Sequence, residues 1–213
     1  MTTMTLPRGL YVITDNQLIP EDKFVATVEQ AILGGARVVQ YRDKSHSRTF
    51  RYRQAHELHQ LCQHYHVPLI INDDTELAVQ VNAEGVHLGK SDMSHETISH
   101  LIKEEQLWVG VSCYNQVALA QHAMTQEATY VAFGSFFASP TKPHAISAPL
   151  EILQQARQSL TCPIVAIGGI TPENANLLIA LGADNLAVIH GVFGQTDVRT
   201  AAANYARLFE SSF

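Results

Sequence analysis

The sequence predicts a single (β/α)8 TIM barrel, on three observations. Short runs rich in Val, Ile and Leu recur along the chain, with helical stretches between them. The runs are nearly continuous in apolar residues rather than alternating, as expected of parallel strands buried on both faces. Each run ends in a polar residue or a glycine suited to holding phosphate or metal. In a barrel of parallel strands all those ends meet at one face, so residues far apart in sequence would line one pocket.

The elements follow in order. Residues 10–14 are the first predicted strand. The helix over 21–33 carries Phe24, Val28, Ala31 and Ile32 on one face, and Gly34-Gly35 can end it. Residues 37–42 are the second strand. The helix over 49–65 sets Leu58, Leu61, Cys62 and Tyr65 at helical spacing. Its histidines His56, His59, His64 and His66 lie in a polar stretch and are expected on the solvated surface rather than on a metal. Residues 68–71 are the third strand, followed by a short helix for which Asp74 is the better cap. Residues 85–88 and a helix over 95–103 make the fourth unit. Strands over 108–111 and 130–133 precede helices expected to start near Asn115 and Ser147. After the strand over 164–167, Thr171-Pro172 reads as a cap followed by proline at the first helical position, and Gly182 follows the last turn. The strand over 185–189 and a helix from Asp197 complete eight units of about 25 residues, near the small end for a barrel. An open doubly wound sheet is the alternative. It needs fewer strands and lacks its early Gly-x-Gly-x-x-Gly fingerprint here.

Composition narrows the function. The chain has 213 residues, 46% of them hydrophobic, enough for one domain over 1–213 with a substantial core. A net charge of −6 argues against nucleic acid as partner. With 14 Lys and Arg in all, the cations at strand ends stand out. No run approaches the roughly 18 apolar residues that span a bilayer, so no membrane partner is expected. Cys62, Cys113 and Cys162 show no Cys-x-x-Cys spacing. An odd count with no signal peptide fits a reducing, cytoplasmic setting.

The strand ends carry the chemistry. Gln40-Tyr41-Arg42-Asp43-Lys44 follows the second strand, and alternation points Gln40, Arg42 and Lys44 the same way. Arginine offers a planar fork for phosphate oxygens and lysine adds a point charge. A solvated strand end with a surface salt bridge fits the same residues. Asn72-Asp73 ends the third strand and Asp92 follows the fourth. Two carboxylates on adjacent strands suit a hard cation such as Mg²⁺, and helix capping is their other reading. Ser112 either caps a helix or bonds a ligand. Cys113 reads as a buried structural thiol, with no base set beside it. Residues 134–143 form the longest loop, where Ser139-Pro140-Thr141-Lys142 groups hydroxyls and a lysine with prolines, as an anion-binding loop would. Gly168-Gly169 and the Ile189-His190-Gly191 segment end the last two strands, where backbone N–H groups commonly bind phosphate. His190 either contacts ligand or packs at the rim.

Together these motifs resemble the thiamine-phosphate synthase family, over nearly the whole chain. The segment 40–44 looks like the family's Gln-x-Arg-x-Lys diphosphate clamp. Asp73 and Asp92 fall where the family holds Mg²⁺, and Asn72 and Ser112 match its strand-end residues. Ser139-Pro140-Thr141-Lys142 resembles its phosphate loop, and Gly169 with Ile189-His190 its thiazole-phosphate end. Ser139 replaces a common threonine and keeps the hydroxyl. Ala138 stands where proline is frequent, and His190 where serine is common. The resemblance implies coupling of 4-amino-2-methyl-5-(diphosphooxymethyl)pyrimidine with a thiazole phosphate, giving thiamine phosphate and diphosphate. It also implies Arg42, Lys44, Ser112 and Lys142 as catalytic groups. Two other readings remain: a TenI-type thiazole tautomerase, and a non-catalytic regulatory barrel. The oligomeric state is left open, a homo-oligomer included.

Overall fold

The computed structural model describes residues 5–89, 95–138 and 146–210. Its strands are β1 Gly9–Ile13, β2 Ala36–Tyr41, β3 Leu69–Asn72, β4 Gly85–Leu88, β5 Trp108–Tyr114, β6 Tyr130–Phe133, β7 Ile164–Ile167 and β8 Asn185–Val188. They pair in parallel in chain order, and β8 pairs with β1 to close the barrel. That closure removes the open-sheet alternative.

The helices are α1 Phe24–Leu33, α2 Arg48–His64, α3 Thr75–Gln80, α4 His95–Lys103, α5 Val117–Thr125, α6 Glu151–Ser159, α7 Pro172–Ala180, the one-turn α8 His190–Phe193, and α9 Val198–Glu210. Local chemistry sets several starts. The Ser47 hydroxyl accepts from the Phe50 amide at the head of α2. The Asp74 carboxylate accepts from the Leu77 amide for α3, the cap expected of it. Thr171 and Asn174 form a reciprocal capping box on α7, with Pro172 at the first helical position. Asp197 accepts from the Thr200 amide and hydroxyl at the head of α9.

Strand parity explains the unbroken apolar runs. Leu10, Val12, Val39, Leu69, Ile71, Val109 and Val111 belong to the layer between strands and helices. Tyr11, Ile13, Val38, Ile70, Tyr130, Ala132, Val165 and Ala187 form a second cluster inside the barrel. Both parities are buried, so both are apolar. The inward parity is also the one that carries Gln40, Asn72, His87 and Ser112. The outer layer supplies stability and the inner one supplies the site.

β5 runs on to Tyr114, three residues past its expected end, and three further expectations need correction. α5 starts after Gln116, while the Asn115 side chain instead donates to the Ser147 carbonyl at 3.3 Å. α6 starts at Glu151 rather than near Ser147. Proline disfavours helical backbone at the residue before it, so Pro149 keeps the helix start beyond Ala148. His59 is buried, unlike exposed His56, His64 and His66. It shares the α2 face of Ala55, Leu58 and Cys62, with its Nε2 3.8 Å from Glu84 Oε1. Spacing, not polarity, decides its place.

Candidate active site

The C-terminal ends of the strands open into a cavity of about 940 Å³. Of the residues singled out in the sequence, Gln40, Arg42, Asn72 and Ser112 line it from one arc of the rim. Gly169, Ile189 and His190 line it from another. The ends of five strands, β2, β3, β5, β7 and β8, thus meet at one space.

The segment after β2 divides its labour. Gln40 points inward and is buried, with its Nε2 donating to Tyr11 Oη at 2.8 Å. Thr14, buried beside it, fixes the strand end: its hydroxyl accepts from the Arg42 amide at 2.9 Å, and its amide donates to the Gln40 carbonyl. Arg42 is half-buried at the cavity, and among the described residues no carboxylate pairs with it. Lys44 leaves the alternation because β2 ends at Tyr41. Its Nζ lies 3.0 Å from Asp73 Oδ2 in an exposed pair, and neither residue lines the cavity. An exposed pair of this kind adds little stability, so both partners stay available to ligand.

Tyr41 and Asp43 turn their side chains away from the cavity. Tyr41 packs edge-on to Phe24 and its hydroxyl donates to Gln54 Oε1 at 3.1 Å. Asp43 holds the turn. Its carboxylate accepts from the Ser45 amide at 2.8 Å, the His46 ring at 2.6 Å and the Asn16 side chain at 3.2 Å. Burial pulls its carboxyl upward, but the bonds from Ser45 and His46 together hold it below its ordinary value. Asp43 therefore stays an anion that orders the loop carrying Arg42 and Lys44.

Asp73 sits in left-handed backbone at φ 62°, with its amide donating to the His87 carbonyl at 2.9 Å. It offers a hard carboxylate oxygen beside Asn72. Among the described residues no group of three His, Cys, Asp or Glu gathers to cage a metal. Mg²⁺ does not need such a cage: it keeps waters and takes one or two carboxylates plus substrate phosphate. The donor chemistry fits that ion. Asp92, Ser139, Pro140, Thr141 and Lys142 lie outside the described residues. The base of their loop is described: the Ser135 amide donates to Ile146 O, and the Ala148 amide to Ser135 O, both at 2.9 Å.

The second arc is built from backbone. Gly168 and Gly169 have φ of 105° and 60°. A Cβ at Gly168 would strike Ser135, and one at Gly169 the backbone of Phe137 and Ala138. Phe137 donates its amide to the Gly168 carbonyl at 3.0 Å, and Asn174 Nδ2 donates to the Gly169 carbonyl at 3.1 Å. The turn is thereby fixed at the first turn of α7, a ready place for an anion. The His190 imidazole is exposed at the rim.

Sequence reading missed three inward residues. Tyr11, Tyr130 and His87 join Gln40 to Ser112 through the barrel interior. Tyr11 Oη is 2.9 Å from Tyr130 Oη; Tyr130 Oη is 3.1 Å from His87 Nδ1; His87 Nε2 is 2.9 Å from Ser112 Oγ. The available signal was a histidine at inward parity in an otherwise apolar strand. Cys113 is the structural thiol expected: it is fully buried, and burial pushes it up to about 12.

A family model described as thiamine monophosphate synthase matches residues 10–192. The chain belongs to that family. The thiamine-phosphate synthase of Nitrosococcus oceani is 48% identical over 204 residues, covering 96% of this chain and 94% of the relative. That of Thiobacillus denitrificans is 47% identical, covering 96% of each. Among solved structures, thiamine phosphate pyrophosphorylase from Pyrococcus furiosus superposes with a TM-score of 0.83 at 36% identity, over 95% of both chains. A 3-hexulose-6-phosphate synthase superposes at 0.71 with 15% identity, which marks the shared barrel alone.

Proposed function

We propose that this chain is a transferase making thiamine phosphate from 4-amino-2-methyl-5-(diphosphooxymethyl)pyrimidine and a thiazole phosphate, its 2-carboxylated form included. The observation that carries the site reading is one cavity with two polar arcs: Gln40, Arg42, Asn72 and Ser112 on one, and the Gly168-Gly169 turn with Ile189-His190 on the other. Relatives at 47–48% identity over nearly the full length carry the activity.

The chemistry suits these residues. The C–O bond to diphosphate breaks at an exocyclic carbon on an electron-rich ring, whose amine stabilises the cation left behind. The thiazole nitrogen then attacks that carbon; with the carboxylated substrate the C2 carboxylate also leaves as CO₂ and a proton takes its place. The protein's task is to hold the departing charge and align the nitrogen. Arg42, Lys44 and Lys142 take the diphosphate. Gln40, Asn72 and Ser112 position the pyrimidine, and Asp43 keeps the clamp in shape. Ser139, Pro140 and Thr141, with the Gly169 and Ile189-His190 backbone, hold the thiazole phosphate. Asp73 and Asp92 would hold Mg²⁺, which when bound supplies charge neutralisation for diphosphate. Lys44, released from Asp73, would then turn to the same phosphates. No protein nucleophile is needed, which agrees with the buried state of all three cysteines. Those free thiols suit a reducing cytoplasm. Among the described residues no helix is long and apolar enough to cross a membrane.

The test supplies the protein with both substrates and Mg²⁺, and omits each in turn. Thiamine phosphate formed only in the complete mixture establishes the coupling. Isomerisation of the thiazole phosphate alone, without coupling, overturns it. Asp73→Asn is expected to raise the Mg²⁺ concentration for half-maximal rate about tenfold, by removing one of two carboxylates. An unchanged Mg²⁺ titration removes Asp73 from the metal site.

A further inference from the structure

The backbone arc is made of two turns from different strands, residues 168–171 after β7 and 189–191 after β8. A phosphate held by both needs them at a fixed separation. One buried side chain touches both. Tyr205 lies on α9 and is 1% exposed. Its hydroxyl donates to the Ile170 carbonyl in the first turn, at 3.0 Å. A Cβ placed on Gly191, in the second, would come within 2.2 Å of the same hydroxyl oxygen. Ile170, Gly191 and Tyr205 line the cavity beside Gly169, Ile189 and His190.

This contact accounts for Gly191. Unlike Gly168 and Gly169, it has no positive φ, so its backbone is open to any L-residue. The demand at Gly191 is for space. The next atoms in reach of a Cβ are Val188 Cγ1 at 2.9 Å and Tyr205 Cζ at 3.2 Å, so the hydroxyl is the main obstacle. That hydroxyl stays a donor at neutral pH, because burial, and then the nearby Glu173 charge, push it up to about 12. Its base is firm. Ala202, three residues earlier on the same buried face of α9, sits so close to the end of α1 that a Cβ on Gly34 would lie 2.7 Å from its own. The packing of α9 therefore places Tyr205, and Tyr205 meets the two turns.

We propose that Tyr205 is a positioning residue that braces the two turns against each other and so sets the spacing of the thiazole-phosphate seat. The role rests on the phosphate reading of that arc given above. Tyr205 takes no part in the chemistry, since its hydrogen is spent on the Ile170 carbonyl. The bonds from Phe137 and Asn174 tie the 168–171 turn to the loop after β6 and to its own helix α7. The bond from Tyr205 ties it to α9 and, through the contact with Gly191, to the 189–191 segment. Removing the hydroxyl takes a donor from the carbonyl of Ile170, which is 5% exposed, and opens space beside Gly191. Gln40, Arg42, Asn72 and Ser112 come from other strands, so the cost should fall on the thiazole phosphate. The last helix thereby tunes one substrate's seat without lending it a ligand group.

The experiment compares Tyr205→Phe, Gly191→Ala and the double substitution, with circular dichroism to check folding. In Tyr205→Phe the KM for the thiazole phosphate is expected to rise about five- to tenfold, the effect of losing one buried hydrogen bond. kcat and the KM for the pyrimidine diphosphate are expected to change by less than about twofold. Gly191→Ala is expected to raise the same KM at least as much, because its methyl group displaces the hydroxyl. Added to Tyr205→Phe, where the hydroxyl is gone, it is expected to cost less than about twofold more. An unchanged KM for the thiazole phosphate in Tyr205→Phe overturns the brace. So do equal losses for both substrates, and so do single losses that multiply in the double variant. Should Tyr205→Phe not fold, Gly191→Ala displaces the hydroxyl with the ring in place, and its KM split is read in the same way. A second readout needs no turnover: inorganic phosphate is titrated while the amide NMR signals of Gly169 and His190 are followed. Weaker phosphate binding in Tyr205→Phe is expected, and equal binding overturns the brace. No response of those amides in the unsubstituted protein overturns the seat and the brace together. If the unsubstituted protein couples no substrates, the proposed activity fails, while the phosphate titration still decides the brace.

Discussion

Arg42→Ala is expected to lower kcat/KM by about two to three orders of magnitude, the cost of losing one preorganised contact to charge that grows in the transition state. The reasoning starts from what surrounds the side chain. Arg42 is half-buried at the cavity, its amide is tied to the Thr14 hydroxyl, and among the described residues no carboxylate neutralises it. A guanidinium with no carboxylate beside it among the described residues, in a partly desolvated place, suits a ligand anion. Its planar fork can grip two phosphate oxygens together. Arg42→Lys keeps the charge and loses the fork, so an intermediate loss of about tenfold is expected. The fold should tolerate both changes, because Arg42 carries no described ion pair. The measurement is steady-state kinetics in the pyrimidine diphosphate, with circular dichroism as a control for folding. Near-normal turnover in a folded Arg42→Ala would remove Arg42 from the diphosphate site.

Much of the fold could be read from the chain because a closed parallel barrel writes itself into hydrophobicity. Both faces of each strand are buried, so the strands appear as unbroken apolar runs, and closure in chain order needs no long-range guess. What was misread had local causes. β5 runs on through Ser112 and Cys113 to Tyr114, polar residues that resemble a strand end from the sequence. α6 waits for Pro149 to pass. His59 is hidden because helical phase, not residue type, sets its burial.

The site was legible where chemistry and parity agree. Gln40, Arg42, Asn72 and Ser112 are polar residues at or just beyond inward positions of strand ends, and they line the cavity. Tyr41 and Asp43 sit within the same motif, but parity and a tight turn send their side chains elsewhere. Tyr11 and Tyr130 escaped notice because a tyrosine in an apolar strand reads as core. Only the three-dimensional closure of β1, β4, β5 and β6 around one interior brings their hydroxyls to His87. Sequence shows which residues face inward but not which of them touch across the barrel.

The backbone arc makes the opposite kind of demand, and Gly169→Ala tests it. A single methyl group is expected to lower kcat/KM for the thiazole phosphate by about one to two orders of magnitude. Two independent costs act together. At φ 60° an L-residue is strained by about 1–2 kcal/mol. The new Cβ would also meet the Phe137 and Ala138 backbone, which no rotamer change can clear. The β7–α7 turn or the β6–α6 loop must then shift, and the Phe137–Gly168 and Asn174–Gly169 bonds that fix the turn go with it. Each 1.4 kcal/mol lost is a factor of ten, so a combined cost of about 2–3 kcal/mol accounts for the expected range. The effect should fall mainly on the KM for the thiazole phosphate, because Gln40, Arg42 and Asn72 lie on a separate arc. Equal losses for both substrates would mean that the turn shapes the whole cavity. Unchanged kinetics would show that phosphate is held without the close backbone approach that glycine permits at this position.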